Sequence, residues 1–168
     1  SAGGDLWSWS GATWERIGAD GPRGLSMGAI AFDARRERIV SYGGVRAGQA
    51  TAQLIEWEGA RPVLRDTTAG ARFRHAIAWD ETRSRAVMCG GTVGRNWDSD
   101  TWEWDGTSWS SPGGGANSLV TSVVWDGSGL YAGGNFTAAG GIPAAGVARW
   151  DGTTWSSLSS GVDGFVYD

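Results

Sequence analysis

The sequence predicts an all-β chain built from repeated four-stranded antiparallel sheets, and three observations predict it. First, 29 of the 168 residues are Gly, only 4 are Pro, and 11% are aromatic. That composition suits short strands joined by tight turns and argues against a helical bundle. Second, Trp9, Trp57, Trp104 and Trp150 recur at spacings of 48, 47 and 46 residues, a period at which a supersecondary unit repeats along a chain. Third, each of these indoles is followed by a turn pair: Ser10-Gly11, Glu58-Gly59, Asp105-Gly106 and Asp151-Gly152. Asp-Gly between short aromatic and β-branched runs signals a hairpin, of type I′ where both central residues take positive φ.

The unit reads strand by strand, lettered A to D. Strand A is Ile30-Ala31-Phe32-Asp33, Ile77-Ala78-Trp79-Asp80 and Val123-Val124-Trp125-Asp126; each copy ends in an aromatic and an Asp and is apolar enough for burial on both faces. After a turn, strand B closes in two glycines over residues 40–44, 87–91 and 130–134. Strand C carries the recurring Trp. Strand D follows the turn pair and holds a second Trp five residues on, at Trp14, Trp109 and Trp155. The second copy has Pro62 at that place, so its outer strand is expected to be irregular and to lie at a sheet edge, where a missing N–H is tolerated. Four strands repeated at this interval make one blade of a β-propeller. Most of the 12 Trp fall at repeat positions and are expected to pack between neighbouring blades.

Residues 1–168 are expected to form a single unit. Residues 5–18 supply a partial blade of strands C and D, whole blades follow at 25–66, 72–111 and 117–158, and 161–168 supply strand A of a closing blade. The sum is about four blade equivalents with one strand B missing; Ser1-Ala2-Gly3-Gly4, similar to Tyr131-Ala132-Gly133-Gly134, reads either as a stub of that strand or as a cloning remnant. The expectation is a segment or permuted form of a larger ring, with a closed, self-sufficient four-bladed ring as the alternative; either oligomerisation or a missing strand supplied by flanking chain is compatible with it. Symmetric pairing of two copies leaves the same strand absent from each.

The string Asp100-Thr101-Trp102-Glu103-Trp104-Asp105-Gly106, with a glycine pair before it, Trp109 after it and Arg74-His75 opening a strand A, resembles the kelch repeat, in particular its bacterial variety. The resemblance covers residues 5 to 111. From residue 116 onward, Tyr131-Ala132-Gly133-Gly134-Asn135-Phe136 followed by Val147-Ala148-Arg149-Trp150-Asp151-Gly152 is similar to a second propeller repeat of large secreted microbial proteins. At the junction, Pro112-Gly113-Gly114-Gly115, the charge changes too: residues 1–100 hold 13 Arg against 12 acids, and residues 101–168 hold Arg149 alone against 6. One continuous propeller in two repeat dialects is expected, because neither part covers its blade faces alone. The resemblance implies a bacterial protein, secreted or displayed at the cell surface, and hence an extracellular location.

Several function classes are excluded. A net charge of -4 with no clustered cationic stripe argues against nucleic acid, and no apolar stretch long enough to cross a bilayer argues against membrane insertion. Cys89 is the single cysteine and lies in a strand pattern, where a buried, inert thiol is expected. There is one His, and no acid near it in sequence orients it for a Ser-His-Asp arrangement. The kelch fold resembles that of galactose oxidase, whose copper needs imidazole and phenolate ligands together; here Tyr42, Tyr131 and Tyr167 all sit in strand patterns. Asp80-Glu81 reads as a solvated turn, and the glycine pairs end strands with no helix after them, so no phosphate cradle forms. Neither an enzyme nor a cofactor is expected.

What is left is a binding face. Strand alternation places the B-to-C and D-to-A loops at one end, and the loops at 45–51, 92–99 and 135–144 are long enough to hold a site. The candidate ligand-binding residues there are Arg23, Arg46, Arg72, Arg74, His75, Arg95, Asn96 and Trp97. Arg72, Arg74 and His75 form the densest cationic patch, suited to a carboxylate or sulfate, with pairing to a strand-end Asp as the structural alternative. Trp97 lies outside the repeat pattern, as a contact residue or a loop anchor. Asn96, Asp98 and Asp100 place oxygens at alternating positions, a spacing by which a loop can wrap Ca²⁺, although the Gly and the bidentate Glu of an EF-hand loop are absent. The expected function is a noncatalytic interaction module or assembly scaffold with a protein partner. A lectin-like glycan-binding propeller and an accessory domain of a larger enzyme are the alternatives.

Overall fold

The computed structural model describes residues 4–19, 21–65 and 69–167, and these carry strands, turns and no helix. Sheet I runs Ala29–Asp33, Arg38–Tyr42, Leu54–Glu58, Arg61–Arg65; sheet II runs Ala76–Asp80, Arg85–Cys89, Thr101–Trp104, Trp109–Ser110; sheet III runs Leu119–Trp125, Leu130–Asn135, Val147–Trp150, Trp155–Ser157. Each is antiparallel, with its four strands neighbouring one another in chain order. A two-stranded ribbon, Leu6–Trp9 with Trp14–Gly18, precedes them. The first strand of sheet II lies against the first strands of both other sheets. Two apolar cores fill the gaps between successive sheets: Val40, Tyr42, Leu54, Met88 and Trp104 between I and II, and Val87, Cys89, Leu130, Phe136 and Trp150 between II and III.

Position in this stack corrects several expectations. Strand A is buried on both faces in sheet II alone, because among the described residues only its first strand lies against the first strands of two other sheets; Ile30 and Phe32 in sheet I and Val124 in sheet III are exposed. The expected packing of the indoles holds for Trp57, Trp79, Trp104, Trp109, Trp150 and Trp155, whereas Trp7, Trp9 and Trp14 are exposed. The outer strand with Pro62 is the longest of the three, regular from Glu58↔Arg61 to Leu54↔Arg65. Pro62 opposes Trp57 beside a two-residue turn on the sheet edge, the position whose N–H faces away from the partner strand.

The Asp-Gly hairpins are not type I′. Only the glycine takes positive φ, as in Gly106 at 98° and Gly152 at 103°, while the residue after it does not. The aspartate side chain organises the turn instead: Asp105 Oδ1 accepts the Thr107 and Ser108 backbone N–H groups at 2.8 Å each. Burial works to raise the Asp105 pKa, but the Ser108 and Thr107 hydrogen bonds outweigh it and bring it down to about 2.

Residues 161–167, expected to begin a closing strand A, contain no strand. They run along sheet III, where Thr121 Oγ1 donates to the Val166 carbonyl at 2.8 Å and Val162 N–H to the Ala145 carbonyl at 2.9 Å. The proposed stub at residues 1–3, the end of the 25–66 unit at residue 66, and Asp168 lie outside the described residues.

Charged side chains join the sheets in a repeated pattern that the sequence reading missed. Glu56 is completely buried and receives the Arg36, Arg38 and Arg65 guanidinium groups at 3.0, 3.2 and 2.8 Å. It also accepts the Trp104 Nε1–H of the next sheet at 3.2 Å. One repeat later, Glu103 receives Arg83 at 2.6 Å and accepts Trp150 Nε1–H at 3.1 Å. Arg36 and Arg83 are themselves tied to Asp33 and Asp80, the aspartates that end each strand A. The third copy inverts this chemistry: Arg149 stands where Glu56 and Glu103 stand, its Nη2 donates to the Ser128 carbonyl at 2.7 Å, and Gly129 replaces the arginine of the turn.

Candidate functional site

The long loops after the second strands are not irregular. Each folds into a small ribbon: Val45–Arg46 with Gln49–Ala50, Thr92–Val93 with Asn96–Trp97, and Ala138–Ala139 with Ile142–Pro143. The chain entering the sheets is stitched to these ribbons by Leu25↔Arg46, Phe73↔Thr92 and Ala116↔Ala139. A glycine pair at positive φ, Gly43-Gly44 or Gly90-Gly91, makes the sharp exit from the second strand in sheets I and II. At Gly44 a Cβ would come within 2.6 Å of the Ser26 carbonyl oxygen, so only glycine fits there.

Between the first two ribbons lies an open cleft of about 600 Å³ lined by Met27, Val45, Ala50, Phe73, Arg74 and Val93, with Gly48, Gln49, Ala71 and Gly94. Two of these residues are conformational outliers. Met27 and Arg74 take left-handed φ of 59° and 57° and stand 47 residues apart, at the same place in successive repeats. The Arg74 N–H donates to the Met27 carbonyl at 3.0 Å, so the two strained residues form one structure at the cleft. Strain of this kind in non-glycine residues gathers at ligand-binding positions and is held in place by surrounding structure. The Arg74 guanidinium lies 5.7 Å from the Phe73 ring centroid, which fixes its direction.

A second depression of about 380 Å³ lies on the far side of the 92–97 ribbon, lined by Arg74, His75, Trp97, Leu119, Val120 and Thr121. Trp97 presents half its surface to solvent, 51%. His75 is 6% exposed and edge-on to Tyr42, with ring centroids 5.8 Å apart. Burial first, and then the nearby Arg72 charge, lower its pKa to about 4, against the opposing effect of the Tyr42 backbone. His75 is therefore neutral at pH 7 and adds no charge to the patch.

The eight candidates separate accordingly. Arg74, His75 and Trp97 meet at one depression. Arg46 lines a groove beside sheet I with Pro22, Gln53, Ile55, Pro62 and Leu64. Arg23, Arg95 and Asn96 are exposed and line neither cleft. Arg72 is corrected from ligand contact to internal tie. It is 2% exposed, pairs with Asp98 at 2.8 Å, donates to the Ala69 and Gly90 carbonyls, and lies over the Trp102 ring at 5.8 Å. Its partner is a loop aspartate rather than the strand-end one expected.

That pairing also engages the middle one of the Ca²⁺ candidates Asn96, Asp98 and Asp100. One Asp98 oxygen belongs to Arg72, and the other accepts the Asp100 N–H at 2.8 Å. Among the described residues no group of three or more His, Cys, Asp or Glu side chains is placed to hold a metal ion. The residues missed by sequence reading are the apolar ones, Met27, Val45, Phe73 and Val93. Only the 47-residue match between Met27 and Arg74 could have pointed to them.

No family model matches the chain, and no curated protein does. Many solved structures do match. One, described as the structure of YjhT, superposes with a TM-score of 0.63 at 14% identity over 90% of this chain and 51% of that one. Identity at that level shows a shared fold and nothing of activity. The chain spans about half the length of that structure.

Proposed function

We propose that the chain is part of a kelch-like β-propeller and serves as a noncatalytic interaction module, binding an acidic partner protein across the ribbon end of sheets I and II. The observation that carries this is the hydrogen-bonded left-handed pair Met27 and Arg74 at the floor of an open, apolar-walled cleft. Arg46, Arg74 and Arg95 stand exposed at the same end with no ion pair among the described residues. Apolar walls under a fringe of free cations suit a chain segment that alternates apolar and acidic side chains. The stacking of three like sheets supports the propeller, and the Asp100–Gly106 string supports its kelch-like character. A bacterial origin and a secreted or surface location follow from the same resemblance.

The test is a peptide array of acidic and neutral sequences probed with the wild type, Arg74→Ala and Val93→Asp. Retention on acidic apolar peptides that both substitutions abolish supports the module. Binding untouched by both would overturn it. A second reading, a glycan-binding module, is favoured by the exposed Trp97 beside Arg74 in the smaller depression, since an exposed indole offers a flat apolar face to a sugar ring. A glycan array on which Trp97→Ala alone loses signal would select it.

A further inference from the structure

Three indole pairs in this protein are copies of one unit. Ring centroids are 5.6 Å apart in Trp104–Trp109, 5.4 Å in Trp150–Trp155 and 5.5 Å in Trp9–Trp14, with interplanar angles of 44°, 42° and 47°. Two of the pairs are buried, with Trp104 2% and Trp150 1% exposed, because each lies against the preceding sheet and gives its indole N–H to the glutamate there. The third has no such cover among the described residues: Trp9 is 52% and Trp14 64% exposed. Its geometry is already that of the covered pairs. What it lacks is the carboxylate-bearing neighbour.

We propose that the Trp9–Trp14 face is a docking surface for a further four-stranded sheet of this same repeat type, belonging to the same polypeptide, that presents a buried glutamate on its third strand to the Trp9 indole N–H. The argument is continuity. Two successive interfaces in the molecule are made from the same residue types at the same repeat positions, and the Trp9–Trp14 ribbon carries one half of a third. The partner's chemistry follows from the covered copies: a glutamate held by one or more arginines, directly before a Trp in its own strand, as in Glu56-Trp57 and Glu103-Trp104.

A second copy of this chain does not meet the requirement. Glu56 and Glu103 already accept Trp104 and Trp150. The sheet with no successor among the described residues, sheet III, offers Arg149 at that position, and a guanidinium has no acceptor for an indole N–H. Head-to-tail joining of two copies would set donor against donor in a buried place, which is unfavourable. The inference does not depend on the reading of the ribbon face, because the two surfaces share no residue.

The experiment extends the chain with its own repeat. A copy of residues 22–99 is placed directly before Asp5, which stands where Asp100 stands in sheet II, so that Leu6–Trp9 follows a second strand and Trp9 meets a copied Glu56. Iodide quenching and emission of the extended chain, each read as the difference from its Trp9→Phe counterpart, report Trp9 alone. The expected result is a blue shift and a loss of quenching relative to the 168-residue chain, both diminished when the copied Glu56 is replaced by Leu. A Trp9 that stays fully quenched while circular dichroism shows the added strands would overturn the proposal. Should the extension not fold, the 168-residue chain decides the matter. Trp9→Ser is expected to leave its melting point unchanged and Trp104→Ser to lower it, with a monomer throughout in sedimentation. Equal losses for the two substitutions, or a dimer abolished by Trp9→Ser, would overturn it as well.

Discussion

Replacing Glu56 with Ala removes the carboxylate on which sheets I and II meet. Three guanidinium groups then converge on empty space at what were 2.8 to 3.2 Å contacts, and the Trp104 indole N–H loses its acceptor. Breaking a buried ion pair by removing one partner costs roughly 3 to 5 kcal/mol. The arginines are 27% to 35% exposed and regain some water, which places the cost near the lower end, about 3 kcal/mol. For a chain of this length that corresponds to a melting point lower by roughly 6 to 12 °C at pH 7. The pH dependence has a definite sign. Burial alone would raise the Glu56 pKa, but the Trp104 and Arg65 hydrogen bonds and the Arg36 and Arg65 charges lower it from 4.5. Its contribution is therefore complete above that value and is lost as the pH falls through the folded-state pKa. Calorimetry of wild type and Glu56→Ala from neutral pH into acid should show a gap that closes below about pH 4.5. A double-mutant cycle with Trp104→Phe should give a coupling of about 1 kcal/mol. Melting of Glu56→Ala together with the wild type at pH 7, or a gap that persists in acid, would refute the account of Glu56 as the junction.

Other perturbations follow from single contacts. His75 has a folded pKa of about 4 against 6.5 in the unfolded chain, so stability should fall as the pH drops from 6.5 towards 4, by about 3 kcal/mol in all, and His75→Phe should flatten denaturation midpoints across that window. A Cβ at Gly18 would sit 2.9 Å from Trp57 Cζ3; Gly18→Ala should cost about 1 to 3 kcal/mol in urea unfolding. Burial pushes the Cys89 thiol up to about 12, so iodoacetamide should label it only at the rate of unfolding, and labelling of the native protein within minutes would contradict its place in the core. Trp97→Ala should shift stability by no more than about 0.5 kcal/mol, since the indole is half exposed on a ribbon.

The repeat was legible because its signals are local. A Trp followed by a turn pair, a strand ending in Asp and a strand ending in two glycines each declare themselves within ten residues or fewer, and they mark the sheets at 29–65, 76–110 and 119–157. What escaped was set by neighbours distant in sequence. Ile30 and Ile77 stand at equivalent repeat positions, yet only the second has a sheet on both sides of its strand. Glu56 and Glu103 read as ordinary alternating polar residues of a strand, since their indole partners lie 48 and 47 residues ahead. Arg72 and Arg74 look alike in the sequence and, two apart, would share a face of a regular strand, but the left-handed backbone at Arg74 breaks that pattern, so the first enters the core against Asp98 and the second stays at the cleft. The left-handed backbone of Met27 and Arg74 has no signal in residue type, because neither is a glycine or an asparagine.

The glutamate–indole junctions also carry a direction. In both, the acceptor precedes the donor along the chain, Glu56 before Trp104 and Glu103 before Trp150. During synthesis each carboxylate emerges in company with its own arginines, from Arg36 to Arg65 around Glu56, well before the indole that will seal it leaves the ribosome. A nascent sheet can thus keep its buried charge neutralised while it waits, and assembly can advance from the amino end towards the carboxyl end without leaving a bare anion in a half-made core.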